Sequence, residues 1–207
     1  SKATLNRLPS YLKYLYQLDK LNVATVSSTT IANGLNLNPV QVRKDIALVS
    51  SVAGKPKMGY VTKEIIADLE GFLGYNNTHD AILVGVGGLG KAFLGYGGFE
   101  NYGLNIVAAF DNNEKLVNTK INGKPVYDVG KLQSIVARFN IQIGIITVPS
   151  YAAQEVADRM VAAGIKAIWN FASVHLNIPS DVALKNEDLA SSLALLSLQI
   201  QSNRKEG

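Results

Sequence analysis

A glycine-rich segment, Ala81–Phe93 (AILVGVGGLGKAF), constrains the fold of this chain more than any other stretch. Its first four residues are apolar without alternation, which is typical of a strand buried in a parallel sheet. Gly85, Gly87 and Gly90 follow in G-x-G-x-x-G spacing, ahead of residues that can begin a helix. This spacing allows a tight turn, a close approach of a pyrophosphate to the backbone, and close packing of strand and helix. The segment therefore predicts a dinucleotide-binding unit, although a glycine-rich turn can also serve packing alone.

An acidic residue follows at the distance that such a unit requires. Asp111 ends a predicted strand over residues 105–111 and lies 21 residues beyond Gly90. In dinucleotide-binding folds an acid about 20 residues on accepts hydrogen bonds from the adenosine ribose and repels a 2′-phosphate. The position favours NAD(H) over NADP(H). The alternative is that Asp111 only caps the turn at Asn112 and Asn113.

Alternating strands and helices after residue 79 predict a doubly wound parallel sheet, a Rossmann-type α/β domain. Further strands are predicted at residues 141–148 and 165–170, with helices at 128–139 and from Pro149 to Gly164. Ligands bind such sheets outside the carboxyl ends of the strands. The residues predicted to bind the cofactor on that rim are Gly85, Val86, Gly87, Gly88, Leu89, Gly90, Asp111, Thr147, Val148, Pro149, Asn170, Phe171 and Ala172.

The excess positive charge lies in the first third of the chain. Residues 1–78 carry nine Lys and Arg against five Asp and Glu, whereas residues 79–207 carry eleven of each. A basic module joined to a neutral domain indicates binding of a polyanion. The alternative is a basic face that is merely solvated.

The pattern within this basic part predicts a winged helix-turn-helix. Apolar periodicity and capping residues predict helices over residues 4–20, 29–34 and 39–50, a basic turn over 54–60, and a helix over 62–73 capped by Thr62. Side chains of the third helix would contact bases and phosphates, and those of the turn would contact phosphates or a minor groove. The predicted DNA-binding residues are Ser28, Gln41, Arg43, Lys44, Lys55 and Lys57. A helical interaction domain with solvated charges remains the alternative.

Residues suited to catalysis are scarce. Hydride transfer to a carbonyl requires a proton donor, yet the only histidines are His79 and His175, and no acid is evident to orient either. The Y-x-x-x-K matches at Tyr16 and Tyr127 are expected by chance among nine tyrosines. The chain has no cysteine, which excludes thiolate metal ligands and cysteine nucleophiles. We therefore expect no catalytic residue and no metal.

Three parts are expected: a DNA-binding domain at 1–78, a Rossmann domain at 79–186, and a C-terminal helix and tail at 187–207. The last part carries a stripe of Leu189, Leu193, Leu196 and Ile200, which would pack either on a partner subunit or on its own domain. No apolar run is long enough to span a membrane, and the N-terminus lacks a signal-peptide core. We expect a cytoplasmic protein with no membrane partner.

Taken together, these motifs resemble the Rex family of bacterial redox-sensing transcriptional repressors, from about Leu5 to Leu198. The pieces that carry the resemblance in the first domain are RLPSYLKYLYQL, VSS and QVRKD. In the second domain they are VGVGGLGKA, IVAAFD, TVPSYAAQEVAD and AAGIKAIWNFA.

The resemblance implies a homodimer that binds a palindromic operator when the NADH/NAD⁺ ratio is low and releases it when NADH binds. It implies that the regulated genes serve fermentation and respiration. It also implies a domain-swapped C-terminal helix inserted between the two domains of the partner. A conformation-dependent network of the family would correspond here to Lys13, Tyr96 and Asp188. The alternatives from the residues alone are an NAD-dependent oxidoreductase with an accessory helical domain, and a repressor that senses another nucleotide such as a CoA-type ligand.

Three positions depart from the family pattern. Lys13 stands where the family has Arg, so the bidentate fork toward a carboxylate is lost. The stretch Ala47–Val52 replaces an aromatic, glycine-containing stretch, and Lys57 replaces Arg on the wing. We expect core packing and operator preference to differ from those of typical members.

Overall fold

The computed structural model describes residues 2–51, 59–76 and 79–205. Two compact units make up the chain, Ser1–Asn77 and Thr78–Gly207.

The first unit is helical with one short pair of strands. Its elements are α1 (Lys2–Lys20), β1 (Thr25–Val26), α2 (Ser28–Leu35), α3 (Pro39–Val49), β2 (Tyr60–Val61) and α4 (Thr62–Leu73). The strands β1 and β2 pair antiparallel. Buried side chains of α1, including Leu8 and Leu15, pack against Ile31, Ile46 and Leu69 from the other three helices. The predicted order of helices is confirmed.

Capping residues fix where α2 and α3 begin and end. Ser27 caps α2, and Asn38 caps α3, each through a side-chain oxygen that accepts a backbone N–H. The prediction that α2 ends at Gly34 is wrong, because the helix continues to Leu35 and ends at Asn36 in the left-handed conformation, with φ 55°. Gly34 instead makes room for Tyr14, whose ring lies 2.2 Å from the position that a Cβ would occupy.

The predicted cap of α4 is also wrong. Val61 occupies the capping position, and Thr62 is the first helical residue. The N–H of Thr62 is already used, because it donates to the carbonyl of Ala24 at 3.0 Å and extends the pairing of β1 with β2. Its side chain is buried rather than turned back to the helix end.

The second unit contains a seven-stranded sheet with helices on both faces. Its elements are β3 (His79–Val84), α5 (Gly88–Gly95), β4 (Leu104–Asp111), β5 (Lys120–Ile121), β6 (Lys124–Asp128), α6 (Leu132–Phe139), β7 (Ile143–Ile146), α7 (Ser150–Ala163), β8 (Ala167–Asn170), β9 (Ala183–Asn186) and α8 (Leu189–Lys205). Short 3₁₀ helices lie at Phe99–Tyr102 and Val129–Lys131. The strand order is β5-β6-β4-β3-β7-β8-β9, parallel except for β5. The predicted doubly wound sheet is confirmed, with its topological switch point between β3 and β7.

Three strands and one helix boundary of the second unit differ from the sequence prediction. The predicted helix over 128–139 begins only at Leu132, because Asp128 ends β6 and its carboxylate accepts the N–H of Gly130 at 2.7 Å. Strands β5, β6 and β9 were not predicted. All three lie beyond the central strands and contain lysine or proline, so their pairing depends on the sheet rather than on a local apolar pattern.

The two faces of this sheet are covered unequally. On one face α6 and α7 pack against Ile82, Phe110 and Ile146. On the other face Leu94 of α5 packs against central strands, and aromatic side chains lie beside it. The connection from β8 to β9, residues 171–182, contains no helix. The buried side chains of this connection, Ala172, Leu176 and Val182, belong to the cluster that α6 and α7 cover.

Candidate nucleotide-binding site and DNA-binding surface

Two glycines of the turn between β3 and α5 are required by packing. Gly85 has φ 105°, and a Cβ there would lie 2.7 Å from the carbonyl carbon of Thr147. A Cβ on Gly90 would lie 2.0 Å from the carbonyl oxygen of Gly85. The turn is therefore pressed against its own helix and against the end of β7, as the motif predicts.

The other two glycines of the turn face open space. A Cβ on Gly87 or Gly88 would meet no atom within 4 Å. Gly87 caps α5 without a side chain, so the first N–H groups of the helix are free of a side-chain partner. Unpaired N–H groups and the helix dipole favour an anion at this position. The turn thus fits a pyrophosphate.

Asp111 reaches the glycine-rich turn. One carboxylate oxygen accepts the N–H of Val86 at 2.7 Å, and the other accepts the N–H of Asn113 at 2.8 Å. The capping role left open by the sequence is therefore present, together with a contact to the turn. Each carboxylate oxygen can accept a second hydrogen bond, so the group retains capacity for the hydroxyls of a ribose.

The end of β7 completes the rim. The Thr147 hydroxyl donates to the carbonyl of Gly85 at 2.7 Å and lies 3.2 Å from that of Val84. Val148 is half-buried, and Pro149 is exposed beside the start of α7. These contacts bring the segment after β7 directly against the segment after β3.

Asn170 is placed at the rim but its side chain is turned inward. It is fully buried, its amide donates to the carbonyls of Ala172 and Val174 and to Asn186, and its oxygen accepts the N–H of Ala172. Both N–H groups of the amide are thereby used within the protein, and its oxygen accepts one hydrogen bond. Asn170 shapes the loop after β8.

An aromatic cavity lies beside α5. Its volume is about 390 Å³, and it is lined by Ala92, Phe93, Tyr96, Phe99, Trp169 and Phe171. Ring centroids of Phe93 and Phe171 are 4.7 Å apart, and Tyr96 is 55% exposed at the edge. Phe93, Phe99 and Trp169 were not predicted as site residues, although the aromatic spacing 93, 96, 99 could have indicated the first two.

The three residues of the expected network lie in different surroundings. Lys13 is exposed on α1 in the first unit. Asp188 precedes α8 in the second unit, and hydrogen bonds from the Ser191 side chain and backbone hold the pKa of its carboxyl below the usual range. Asp188 also lines a second cavity, of about 290 Å³, with His175 and Glu187.

The third helix of the first unit presents the predicted polar side chains. Gln41, Arg43 and Lys44 are exposed, whereas Val42 and Ile46 point into the core. Ser28, the first residue of α2, is half-buried. Lys55 and Lys57 lie outside the described residues.

The atypical stretch begins in the last turn of α3 and is hydrogen-bonded to α4. The N–H and hydroxyl of Ser51 both donate to the carboxylate of Asp68 at 2.8 Å. Leu48 is 65% exposed, and Val52 lies outside the described residues. Hydrogen bonds to Asp68 therefore hold the end of this stretch against α4.

Asp45 is the residue of α3 that the sequence analysis missed. It is 1% exposed and forms a bidentate ion pair with Arg7 of α1, at 2.8 and 3.0 Å. Tyr11 donates to the same carboxylate at 2.7 Å. Burial raises the pKa of Asp45, but hydrogen bonds from Arg7, Tyr11 and Gln41 outweigh it and lower the pKa to about 2. Its position one turn from buried Val42 was the available signal.

Neither metal ligands nor membrane helices are found in the part of the chain that the structure describes. Within residues 2–51, 59–76 and 79–205, no cluster of three His, Cys, Asp or Glu side chains could hold a metal ion. No helix in those ranges has the length and apolar character needed to cross a bilayer.

Known proteins match both units. Residues 1–47 match a family model described as a putative DNA-binding protein N-terminus, and residues 76–174 match one described as a CoA binding domain. The Redox-sensing transcriptional repressor Rex of Treponema denticola is 40% identical over 97% of this chain and 95% of its own length. That of Porphyromonas gingivalis is 43% identical over 96% of this chain and 91% of its own. The chain belongs to the Rex family.

Solved structures agree with this assignment. The crystal structure of RSP in complex with beta-NAD⁺ and operator DNA is 37% identical, with a TM-score of 0.92 over 99% of this chain and 94% of that one. The structure of RSP with beta-NADH gives a TM-score of 0.90 at the same identity, over 99% and 95% of the two chains. RSP is itself described as a Rex-family repressor. Rex proteins are transcriptional repressors, so the oxidoreductase alternative is not favoured.

Proposed function

We propose that this chain is a cytoplasmic transcriptional repressor that binds a palindromic operator as a homodimer and is released from it by NADH. The observation that carries the proposal is the open, uncapped turn at Gly87 and Gly88, with Asp111 hydrogen-bonded to that same turn, in a member of the Rex family. In this reading the protein reports the NADH/NAD⁺ ratio and catalyses no reaction.

The cofactor is held by the rim of the sheet in the second unit. The pyrophosphate lies at the first turn of α5, where uncapped N–H groups donate to it. Asp111 accepts hydrogen bonds from the adenosine ribose, and its charge disfavours a 2′-phosphate. Thr147, Val148 and Pro149 form the opposite wall. Asn170 acts through the loop that it holds rather than by touching the cofactor.

DNA is bound by the first unit. Gln41, Arg43 and Lys44 occupy the exposed side of α3, which enters the major groove in a helix-turn-helix. Lys55 and Lys57 supply charge to phosphates or to a minor groove from the wing. The match of residues 1–47 to a putative DNA-binding N-terminus supports this assignment.

Two exposed apolar surfaces of the second unit support dimerisation. The side chains of Leu193, Leu195, Leu196 and Ile200 on α8 are each 57–65% exposed. Among the described residues, α5 is the α-helix that packs on the sheet face where the aromatic cavity opens. Because each chain has an exposed apolar helix and an open aromatic cavity, we infer that α8 is the dimerisation segment and is exchanged between subunits.

The response to NADH is a shift between two dimer conformations. By linkage, NADH releases DNA only if it binds the DNA-incompetent dimer more tightly than the competent one. A tenfold preference at each site corresponds to about 1.4 kcal/mol, so two sites move the equilibrium about a hundredfold. Tyr96 at the edge of the aromatic cavity, Asp188 before α8, and Lys13 on α1 are the proposed members of the network that differs between the states.

The test is a titration of operator binding with NADH at several fixed concentrations of NAD⁺. We expect the DNA complex to dissociate as NADH rises, with NAD⁺ opposing the effect. A complex that persists at saturating NADH would refute the sensor proposal, and turnover of NADH with simple carbonyl substrates would favour an enzyme.

A further inference from the structure

The carboxylate of Asp45 is saturated with hydrogen bonds. Besides Arg7 and Tyr11, the side-chain amide of Gln41 donates to its Oδ1 at 2.9 Å. A carboxylate has about four acceptor positions, and the four donated hydrogen bonds fill them. Arg7 and Tyr11 of α1 therefore fix the carboxylate of Asp45, and this carboxylate in turn binds the side chain of Gln41 on the exposed side of α3.

This contact fixes which way the Gln41 amide faces. An ionised carboxylate can only accept, so the atom of Gln41 that faces Asp45 is the NH₂ nitrogen and the carbonyl oxygen faces away. The low pKa of Asp45 keeps the carboxylate ionised at neutral pH. Flipping the amide would bring two acceptors together, so the orientation is locked.

The position of Gln41 suits base recognition. It is exposed and lies in the first turn of α3, two residues after Pro39 begins the helix. The N-terminal residues of a recognition helix are those that reach base edges in the major groove. Once Asp45 has taken one amide hydrogen, Gln41 offers one N–H and one carbonyl oxygen side by side.

Only one base edge in the major groove matches that pair. Adenine presents an acceptor at N7 and a donor at N6, whereas guanine presents two acceptors. We propose that Gln41, oriented by Asp45, reads an adenine in each operator half-site, an inference that rests on the operator binding proposed above. Asp45 is a positioning residue here, because it acts on the base only through Gln41.

The matched control is Tyr11→Phe. Tyr11 donates to Asp45 Oδ2, whereas Gln41 donates to Oδ1. Loss of the phenol hydroxyl weakens the same network by one hydrogen bond but leaves the contact between Asp45 and Gln41 in place. A general destabilisation of the unit would affect Tyr11→Phe and Asp45→Asn alike, whereas a loss of amide orientation affects Asp45→Asn alone.

The experiment starts from selection of binding sites by the full chain from a pool of randomised DNA duplexes. Affinities are then measured for duplexes carrying each single base change in the selected half-site. We expect Gln41→Ala to lose about tenfold discrimination at one adenine. Asp45→Asn, which can donate to the Gln41 oxygen and so allows the amide to flip, should relax the preference at that same position. Tyr11→Phe should keep it.

Three outcomes would overturn the inference. Full discrimination retained by Gln41→Ala would show that Gln41 reads no base, and an unchanged adenine preference in Asp45→Asn would remove the positioning role. If Asp45→Asn does not fold, Gln41→Glu is measured instead. A carboxylate at position 41 cannot donate to adenine N7, so this substitution should move the base preference toward cytosine. An adenine preference retained by Gln41→Glu would then refute the inference. Failure of the wild-type chain to select any site would instead refute operator binding itself.

Discussion

Two alanine substitutions in the glycine-rich turn should have opposite consequences. Gly90→Ala places a methyl group 2.0 Å from the carbonyl oxygen of Gly85, which is backbone and cannot turn aside. Gly87→Ala places the same group in open space at φ −78°, which is ordinary for alanine. The first substitution therefore tests packing, and the second tests whether the open space belongs to a ligand.

The magnitudes follow from these distances. Overpacking at Gly90 should cost about 2–3 kcal/mol, which lowers the melting temperature of a unit of this size by about 8–12 °C. Gly87→Ala should change stability by less than about 1 kcal/mol, since loss of a glycine cap and gain in unfolded-state entropy oppose each other. Its methyl group would occupy the approach of the pyrophosphate, so NADH affinity should fall at least about tenfold, or 1.4 kcal/mol.

The assay is thermal melting followed by circular dichroism, combined with calorimetric titration of NADH. Wild-type melting with unchanged NADH affinity in Gly87→Ala would refute the assignment of the turn to the cofactor. Wild-type melting of Gly90→Ala would refute the packing argument.

Three further predictions concern the ribose contact, the buried carboxylate and the dimer. Asp111→Ala should weaken NADH binding at least about tenfold in fluorescence titrations while apo DNA binding is kept; an unchanged NADH affinity would contradict the ribose assignment. The folded-state pKa of Asp45, about 2, lies below its ordinary value of 3.8, so the stabilisation that its carboxylate gives is present above about pH 4 and is lost as the pH falls toward 2. Asp45→Asn should therefore show a flatter decline in urea stability over that range, and a decline as steep as that of the wild type would contradict it. Leu196→Glu should weaken dimerisation about tenfold or more in sedimentation velocity, whereas Gln199→Glu, with the same charge at a polar position of α8, should not; a dimer unaffected by Leu196→Glu would contradict the role of α8.

The central part of the sheet and the turn could be predicted because their signals are local. Strand β3 ends in an uninterrupted apolar run, and Gly85 and Gly90 of the motif are required by backbone atoms of the turn and of the adjoining rim. The place of Asp111 beside the turn could be predicted for the same reason, since its distance from Gly90 follows from the length of one helix and one strand.

The features that were missed depend on distant residues. Asp45 looks like part of a solvated charged run, and only Arg7, 38 positions away, makes it a buried acid. Strand β9 has an exposed pattern and forms because β8 offers it an edge. Asn170 was correctly placed at a strand end, but the direction of its side chain depends on Asn186 and on the loop that follows. Contacts between residues far apart in the sequence determine these three features, so the local sequence pattern could not predict them.

The central claim is that NADH and operator DNA oppose each other through one conformational equilibrium. It is tested most directly by measuring the dissociation constant of NADH for the free protein and for the protein saturated with operator. Linkage requires DNA to weaken NADH binding by the same factor by which NADH weakens DNA binding. We predict equal factors of at least about tenfold. An NADH affinity that is the same with and without DNA would contradict the account.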